Sequence, residues 1–266
     1  MRAPNDNWPH FSEAECERRF ETVRRFMRER GFDCLLIHGA HYTPFTDPGH
    51  VNVTWLAAYA PLNQSYIVLP LEGDPTLFIT FAPWHIGNAE AIGVIADVRG
   101  GFDIAARAAA RVEEAAGAEG KIGIVGSMHW INVSIPQAHF EELQRRMPRA
   151  SFETVTGDYE DLRLSKSAEE IALMERAAEI CDAAHHELNA AARPGVTDAE
   201  LFRVALKAVH RRGGRINMCH ILSTSTLNPA MNYAFPLSVN RALQTGDIVL
   251  TELCAGVHGY FCKIWG

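Results

Sequence analysis

The chain has 266 residues, 47% apolar and 21% charged, with a formal net charge of −7. That length suits one large or two medium domains, each able to bury a core. Mild acidity without a Lys/Arg block argues against nucleic-acid or anionic-membrane partners, no apolar run is long enough to span a bilayer, and the N-terminal residues 1–9 lack the apolar segment of a secretory signal.

The first half alternates helical and strand patterns. Ser12-Glu-Ala-Glu15 has the form of a capping box, Phe20, Val23, Phe26 and Met27 recur at helical spacing, and Gly31 is placed to end that helix. The run from Phe32 to His38 reads as a short buried strand. Residues 65–70 and 76–81 flank Glu72-Gly-Asp-Pro75, whose turn chemistry predicts a hairpin. An Ala-rich helix over about 103–116, a strand at 121–125 and a helix over 136–147 complete an α/β domain assigned to residues 1–155.

A second domain, 156–266, has the order helix, helix, strand, strand. Ser167-Ala-Glu-Glu170 opens a long helix to Ala192, with Ile171, Met174, Ala178, Cys181, His185 and Leu188 as its expected stripe. Pro194-Gly195 breaks it, and Thr197-Asp-Ala-Glu200 opens the next helix, which Gly213-Gly214 ends. Strands are predicted around 216–223 and 247–254, separated by a Pro/Asn-rich loop over 228–240, and the segment from Gly246 to Gly266 reads as two strands of a hairpin. Six scattered cysteines form no Cys-x-x-Cys pair, which suits free, mostly buried thiols in a reducing cytoplasm. No Gly-x-Ser-x-Gly elbow, P-loop or Gly-x-Gly-x-x-Gly occurs, so serine hydrolases, P-loop NTPases and the usual dinucleotide binders lack sequence support.

Three stretches resemble the pita-bread metallopeptidase superfamily of aminopeptidase P, prolidase and creatinase. Residues 246–266 are similar to its Gly-Asp-x-Val-x-x-Asp-x-Gly and Gly-Tyr-x-Ser-Asp hairpin. Residues 163–177 resemble its Arg-x-x-Lys-Ser-x-x-Glu-Ile helix start, and Arg193-Pro-Gly-Val-Thr-Asp-Ala-Glu200 its Pro-Gly-x-Thr turn. Asn52-Val-Thr-Trp-Leu56 sits where that superfamily has a strand ending in Tyr-Leu-Thr-Gly, so a strand is expected there. The resemblance implies a creatinase-like α/β N-terminal domain followed by an α+β pita-bread domain, of which only the first half is present. It also implies hydrolysis of C–N bonds in short peptides or small amidino compounds, and a homodimer.

The family's two metal-ligand aspartates correspond to Glu252 and Lys263. An ammonium at a ligand position repels a divalent cation, so neither a metal nor any other cofactor is expected. Glu252 reads either as a retained carboxylate that positions substrate or moves a proton, or as an ion-paired residue of a vestigial cavity. Lys263 reads either as a clamp for an anionic substrate or a base, or as a partly exposed strand lysine. Tyr233 lies in the loop where the family carries a substrate-contacting histidine; a phenol donates well to an oxyanion but is a poor base near neutral pH. His220 and Asn228 are the candidate substrate-binding residues, and His220 equally fits a structural role. His185 and His186 are adjacent on a helix and diverge by about 100°, so they cannot chelate one ion together. His38 and His41 read as surface or packing residues. The expected activity is a metal-independent hydrolase of Xaa-Pro peptidase or creatinase type; the alternative is a truncated, non-catalytic interaction protein.

Overall fold

A computed structural model describes residues 11–40, 50–61, 63–80, 83–127, 134–227 and 241–266. Two compact units are present, Met1–Lys166 and Ser167–Gly266.

In the first unit, α1 (Glu13–Arg30) starts where Ser12 Oγ accepts the Glu15 amide at 3.1 Å and stops at Gly31, whose φ of 68° is the left-handed conformation that glycine adopts without penalty. The Glu15 carboxylate turns to Arg18 and Arg19, at 2.7 and 2.6 Å. After α1 come β1 (Cys34–Gly39), α2 (Val51–Ala57), the hairpin β2 (Ser65–Pro70) and β3 (Thr76–Thr80), and α3 (Pro83–Ile92). Then follow β4 (Asp97–Gly101), α4 (Ile104–Ala116), β5 (Lys121–Val125), α5 (Gln137–Arg146), β6 (Ser151–Thr154) and α6 (Thr156–Leu162).

The strands form one mixed sheet in the order β4-β3-β2-β1-β5-β6. β1 runs antiparallel to β2 and parallel to β5, and it is buried along its whole length. Leu35 and Ile37 join a core with α1, α2 and α6, whereas Cys34 and Leu36 join a core with α4 and α5. A strand covered on both faces carries an unbroken apolar run, which is why Cys34-Leu-Leu-Ile37 shows no alternation.

The strand expected at residues 52–56 is instead the helix α2. Val53, Leu56 and Ala57 pack at spacings of three and four into the core, and the Trp55 ring meets Tyr159 edge-on at 5.9 Å. Arg19, itself 2% exposed, donates to the Trp55 carbonyl at 2.7 Å, satisfying a group that the last helical turn leaves open. The strand was expected from the resemblance alone, and the contacts of Val53, Trp55 and Leu56 with the core hold this segment as a helix.

In the second unit, α7 (Ala168–Ala191) and α8 (Asp198–Arg211) each begin with a complete capping box, Ser167 with Glu170 and Thr197 with Glu200. The buried stripe of α7 is rotated from the expected one. Ala177, Ile180, Cys181, Ala184 and Leu188 face the core, whereas Ile171 and Met174 are 45% and 39% exposed. Small residues let the helix approach the sheet closely, so the interior stripe follows alanine and cysteine rather than the larger side chains near the N-terminus.

These helices cover one face of the antiparallel sheet β7-β8-β9, formed by β7 (Arg215–Ser225), β8 (Asp247–Val257) and β9 (Tyr260–Trp265). His258 and Gly259 link β8 to β9 with φ of 49° and 85°, as a two-residue hairpin with both central residues left-handed requires. Leu253, Ala255, Cys262 and Ile264 point into the helix-facing core. Alternation therefore sends Glu252, Cys254, Lys263 and Trp265 to the opposite face. Among the described residues no helix is long and apolar enough to cross a membrane.

Candidate functional site

The open face of the second sheet brings together three strands' worth of polar chemistry around Glu252. On β8, Glu252 pairs in register with His220 of β7 and Trp265 of β9, while Lys263 pairs with Cys254. The Glu252 residue is 3% exposed. Its Oε1 accepts from Lys263 Nζ at 2.8 Å and from Trp265 Nε1 at 3.0 Å, and its Oε2 lies 3.2 Å from His220 Nδ1. The Lys263 side chain is 47% exposed and its ammonium stands 5.4 Å from the Trp265 ring centroid. Glu252 thus sits at the base of the site and Lys263 and Trp265 at its surface. Burial pushes the neighbouring Cys254 thiol above its ordinary range.

This arrangement can hold an anion. An ammonium has three donors, and Glu252 engages one of them. The face of an indole beside a cation suits a flat or apolar group next to a carboxylate. The same arrangement does not fit a divalent metal. Glu252 Oε1 already carries two donors, and the Lys263 ammonium 2.8 Å from it repels a divalent cation. Among the described residues no group of three or more His, Cys, Asp or Glu has the geometry to hold a metal ion.

Of the residues singled out from the sequence, Glu252, Lys263 and His220 meet at this site. Tyr233 and Asn228 lie outside the described residues, as does His41. His186 is exposed, while His185 lies 3.2 Å from Thr251 Oγ1 on the helix-facing side. His38 is fully buried in the first unit, with Nδ1 2.8 Å from Ser127 Oγ. Trp265 was not anticipated. Its signal was the hairpin register, because it stands directly across from Glu252.

Two polar clamps support the sheet, and each joins sequence stretches that looked separate. Tyr260 at the hairpin donates to Glu170 Oε1 at 2.6 Å, and Glu170 Oε2 accepts the Ser167 amide at 2.8 Å. At the other end, Asp198 Oδ1 accepts from Ser223 Oγ at 2.6 Å, and Arg241 reaches Ser223 Oγ at 3.0 Å. Arg241 also grips both oxygens of Asp247, at 2.6 and 2.9 Å. The guanidinium of Arg241, helped by the Gln244 amide, lowers the Asp247 carboxyl below its ordinary range. The Pro-Gly-Val-Thr-Asp198 turn and the Gly246-Asp247 strand start are thereby fastened together.

Residues 19–165 match the family model of the creatinase/prolidase N-terminal domain, and residues 172–265 match that of metallopeptidase family M24. The chain belongs to the creatinase/prolidase family, with a creatinase-like N-terminal domain and a partial pita-bread domain. Among solved structures it is similar to the prolidase from Pyrococcus horikoshii, with 21% identity, a TM-score of 0.70, and coverage of 93% of this chain and 63% of that one. An Xaa-Pro dipeptidase from Bacillus anthracis gives 19%, 0.68, 94% and 64% in the same order. An X-Pro aminopeptidase from Thermotoga maritima gives 15%, 0.71, 92% and 63%. At these identities the likeness is one of fold, and the chain spans less than two thirds of each of these structures. No curated protein matches it.

Proposed function

We propose that this chain contributes to a hydrolase of C–N bonds in short peptides or small amidino compounds, working without a metal in a reducing cytoplasm. The observation that carries the reading is that Lys263 and Trp265 both donate to Glu252 Oε1 where the family resemblance expects metal ligands. In this reading Lys263 holds the anionic end of the substrate, and Glu252 fixes the ammonium and the indole in place. His220 beside Glu252 and, outside the described residues, Tyr233 and Asn228 contact the group that reacts. For a peptide substrate, Tyr233 donates to the carbonyl oxygen that gains charge as water adds to the carbonyl carbon and the amine leaves. The protein works as a homodimer. The test is incubation of the purified protein with Xaa-Pro peptides and creatine-like compounds, with Mn²⁺ and with a chelator. Turnover unchanged by either supports the reading, and turnover that requires Mn²⁺ rejects it.

A second reading is favoured by one observation. Trp265 and Ile248, on strands of the same small sheet, are 57% and 51% exposed, so the chain presents apolar area available for association. Under this reading it is a non-catalytic interaction protein. No turnover together with a concentration-dependent sedimentation coefficient that Trp265→Ser abolishes selects it over the hydrolase.

A further inference from the structure

The first unit contains a second candidate site, unrelated to Glu252. On α1, Glu17, Phe20 and Arg24 lie at i, i+3 and i+7, hence along one stripe. Facing them are Asp74 from the β2–β3 turn and residues 94–97 leading into β4, and the space between is an open cleft of about 500 Å³. That volume falls within the range of roughly 300–1,000 Å³ common for small-molecule sites. Phe20 and Ile95, which are 8% and 2% exposed, supply apolar lining.

The charges in the cleft are unequally committed. Asp97 is held by Arg99 and Thr76, at 2.7 and 2.8 Å, and Glu21 is held by Arg28. Glu17 and Asp74 are exposed, and their carboxylates have no partner among the described residues. Arg24 donates to the carbonyl of Gly73, while its Nε is buried with no acceptor. A guanidinium has five N–H donors, so most of its capacity is unused. Because Arg24 is anchored on Gly73, Asp74 lies next to it in the turn. Glu17 is seven residues earlier on the helix, about 10 Å along its axis at 1.5 Å per residue.

We propose that this cleft binds a basic α-amino acid. Arg24 takes the carboxylate by paired N–H donors, and the adjacent Asp74 takes the α-ammonium. The aliphatic stem lies along Phe20, and the terminal cation meets Glu17. A diamine leaves Arg24 without an acceptor, and an apolar amino acid leaves Glu17 without a cation, so the pattern of uncommitted charges selects against both.

Calorimetric titration of the full chain with L-arginine, L-argininamide and L-leucine tests the proposal. L-Arginine is expected to bind saturably, about tenfold or more tighter than either analogue. Arg24→Gln should erase the preference for L-arginine over its amide, and Glu17→Gln the preference over L-leucine. Glu17 is exposed on a helix, so its substitution leaves folding intact and the second comparison stands even if Arg24→Gln unfolds. Absence of saturable L-arginine binding, or preferences that survive both substitutions, overturns the proposal. Glu252→Gln should leave the titration unchanged, and an effect there counts against the cleft as the binding site.

Discussion

The phenol of Tyr260 donates to Glu170 at 2.6 Å, so the β8–β9 hairpin is tied to the residue that caps α7. Glu170 is 1% exposed and serves both elements at once, one oxygen for each.

Glu170→Ala is therefore expected to cost more than Ser167→Ala. The serine substitution loses one cap, worth about 1 kcal/mol. The glutamate substitution loses the reciprocal cap and the hydrogen bond from the half-buried Tyr260 phenol, for a total of about 2 kcal/mol. Tyr260→Phe should cost about 1 kcal/mol alone and close to nothing in the Glu170→Ala background. Urea unfolding of the four proteins measures all three values.

Removing Lys263 exposes the cost of burying Glu252. Lys263→Met leaves a carboxylate that is 3% exposed without its cation, yet the lysine is half in solvent and screened. A loss of about 1–2 kcal/mol is expected, well below the value for a fully buried pair. Glu252→Gln combined with Lys263→Met should be more stable than Lys263→Met alone, because the stranded charge is gone. Equal stability of the single and double variants would show that the pair does not govern this face.

The same geometry predicts the response to metal. Mn²⁺ and chelator should leave the melting midpoint of the natural protein unchanged. Lys263→Asp places a second carboxylate near Glu252 and His220, and that variant should be stabilised by Mn²⁺. At a metal concentration roughly ten times Kd the gain is about 1.4 kcal/mol. A midpoint that rises with Mn²⁺ in the natural protein contradicts the assignment.

Acid should destabilise the first unit through His38. Burial, helped by nearby His139, lowers its pKa from the ordinary 6.5 to about 4, against an opposing contribution from the Ser134 carbonyl 3.3 Å from Nδ1. As the pH falls below 6.5 the unfolded chain takes up a proton that the folded one refuses, so stability is complete above that value and declines between 6.5 and 4. The full loss is about 3 kcal/mol. His38→Asn keeps an N–H near the Nδ1 position and removes the titration, so its stability should be flatter over that window in pH-dependent urea unfolding.

Much of the second unit was legible because its signals are local. Capping boxes, a glycine pair and a Gly-Tyr hairpin each act within a few residues, and each is where the sequence placed it. Helix α2 was not legible, because Arg19 and Tyr159 decide its fate from outside the segment. The rotated stripe of α7 failed for a related reason. The expected stripe followed spacings of three and four from Ile171, while packing against the sheet turned the helix so that Ala177, Ile180 and Ala184 face inward. In the candidate site, Glu252 and Lys263 came from the resemblance, but Trp265 needed the register of β9 against β8. The cleft beside α1 was invisible beforehand, since its walls come from three separate stretches of chain.

The strand order of the first sheet also bears on how this protein is made. β1 lies between β2 and β5, so Cys34 must wait for Ile122 before its second edge is covered. That partner is synthesised roughly ninety residues later, and such distant pairing slows folding. In the second sheet every neighbour is the next strand in the chain. During synthesis the N-terminal sheet therefore stays half-finished, with an apolar edge, until β5 emerges, and chaperone dependence should track the first unit far more than the second.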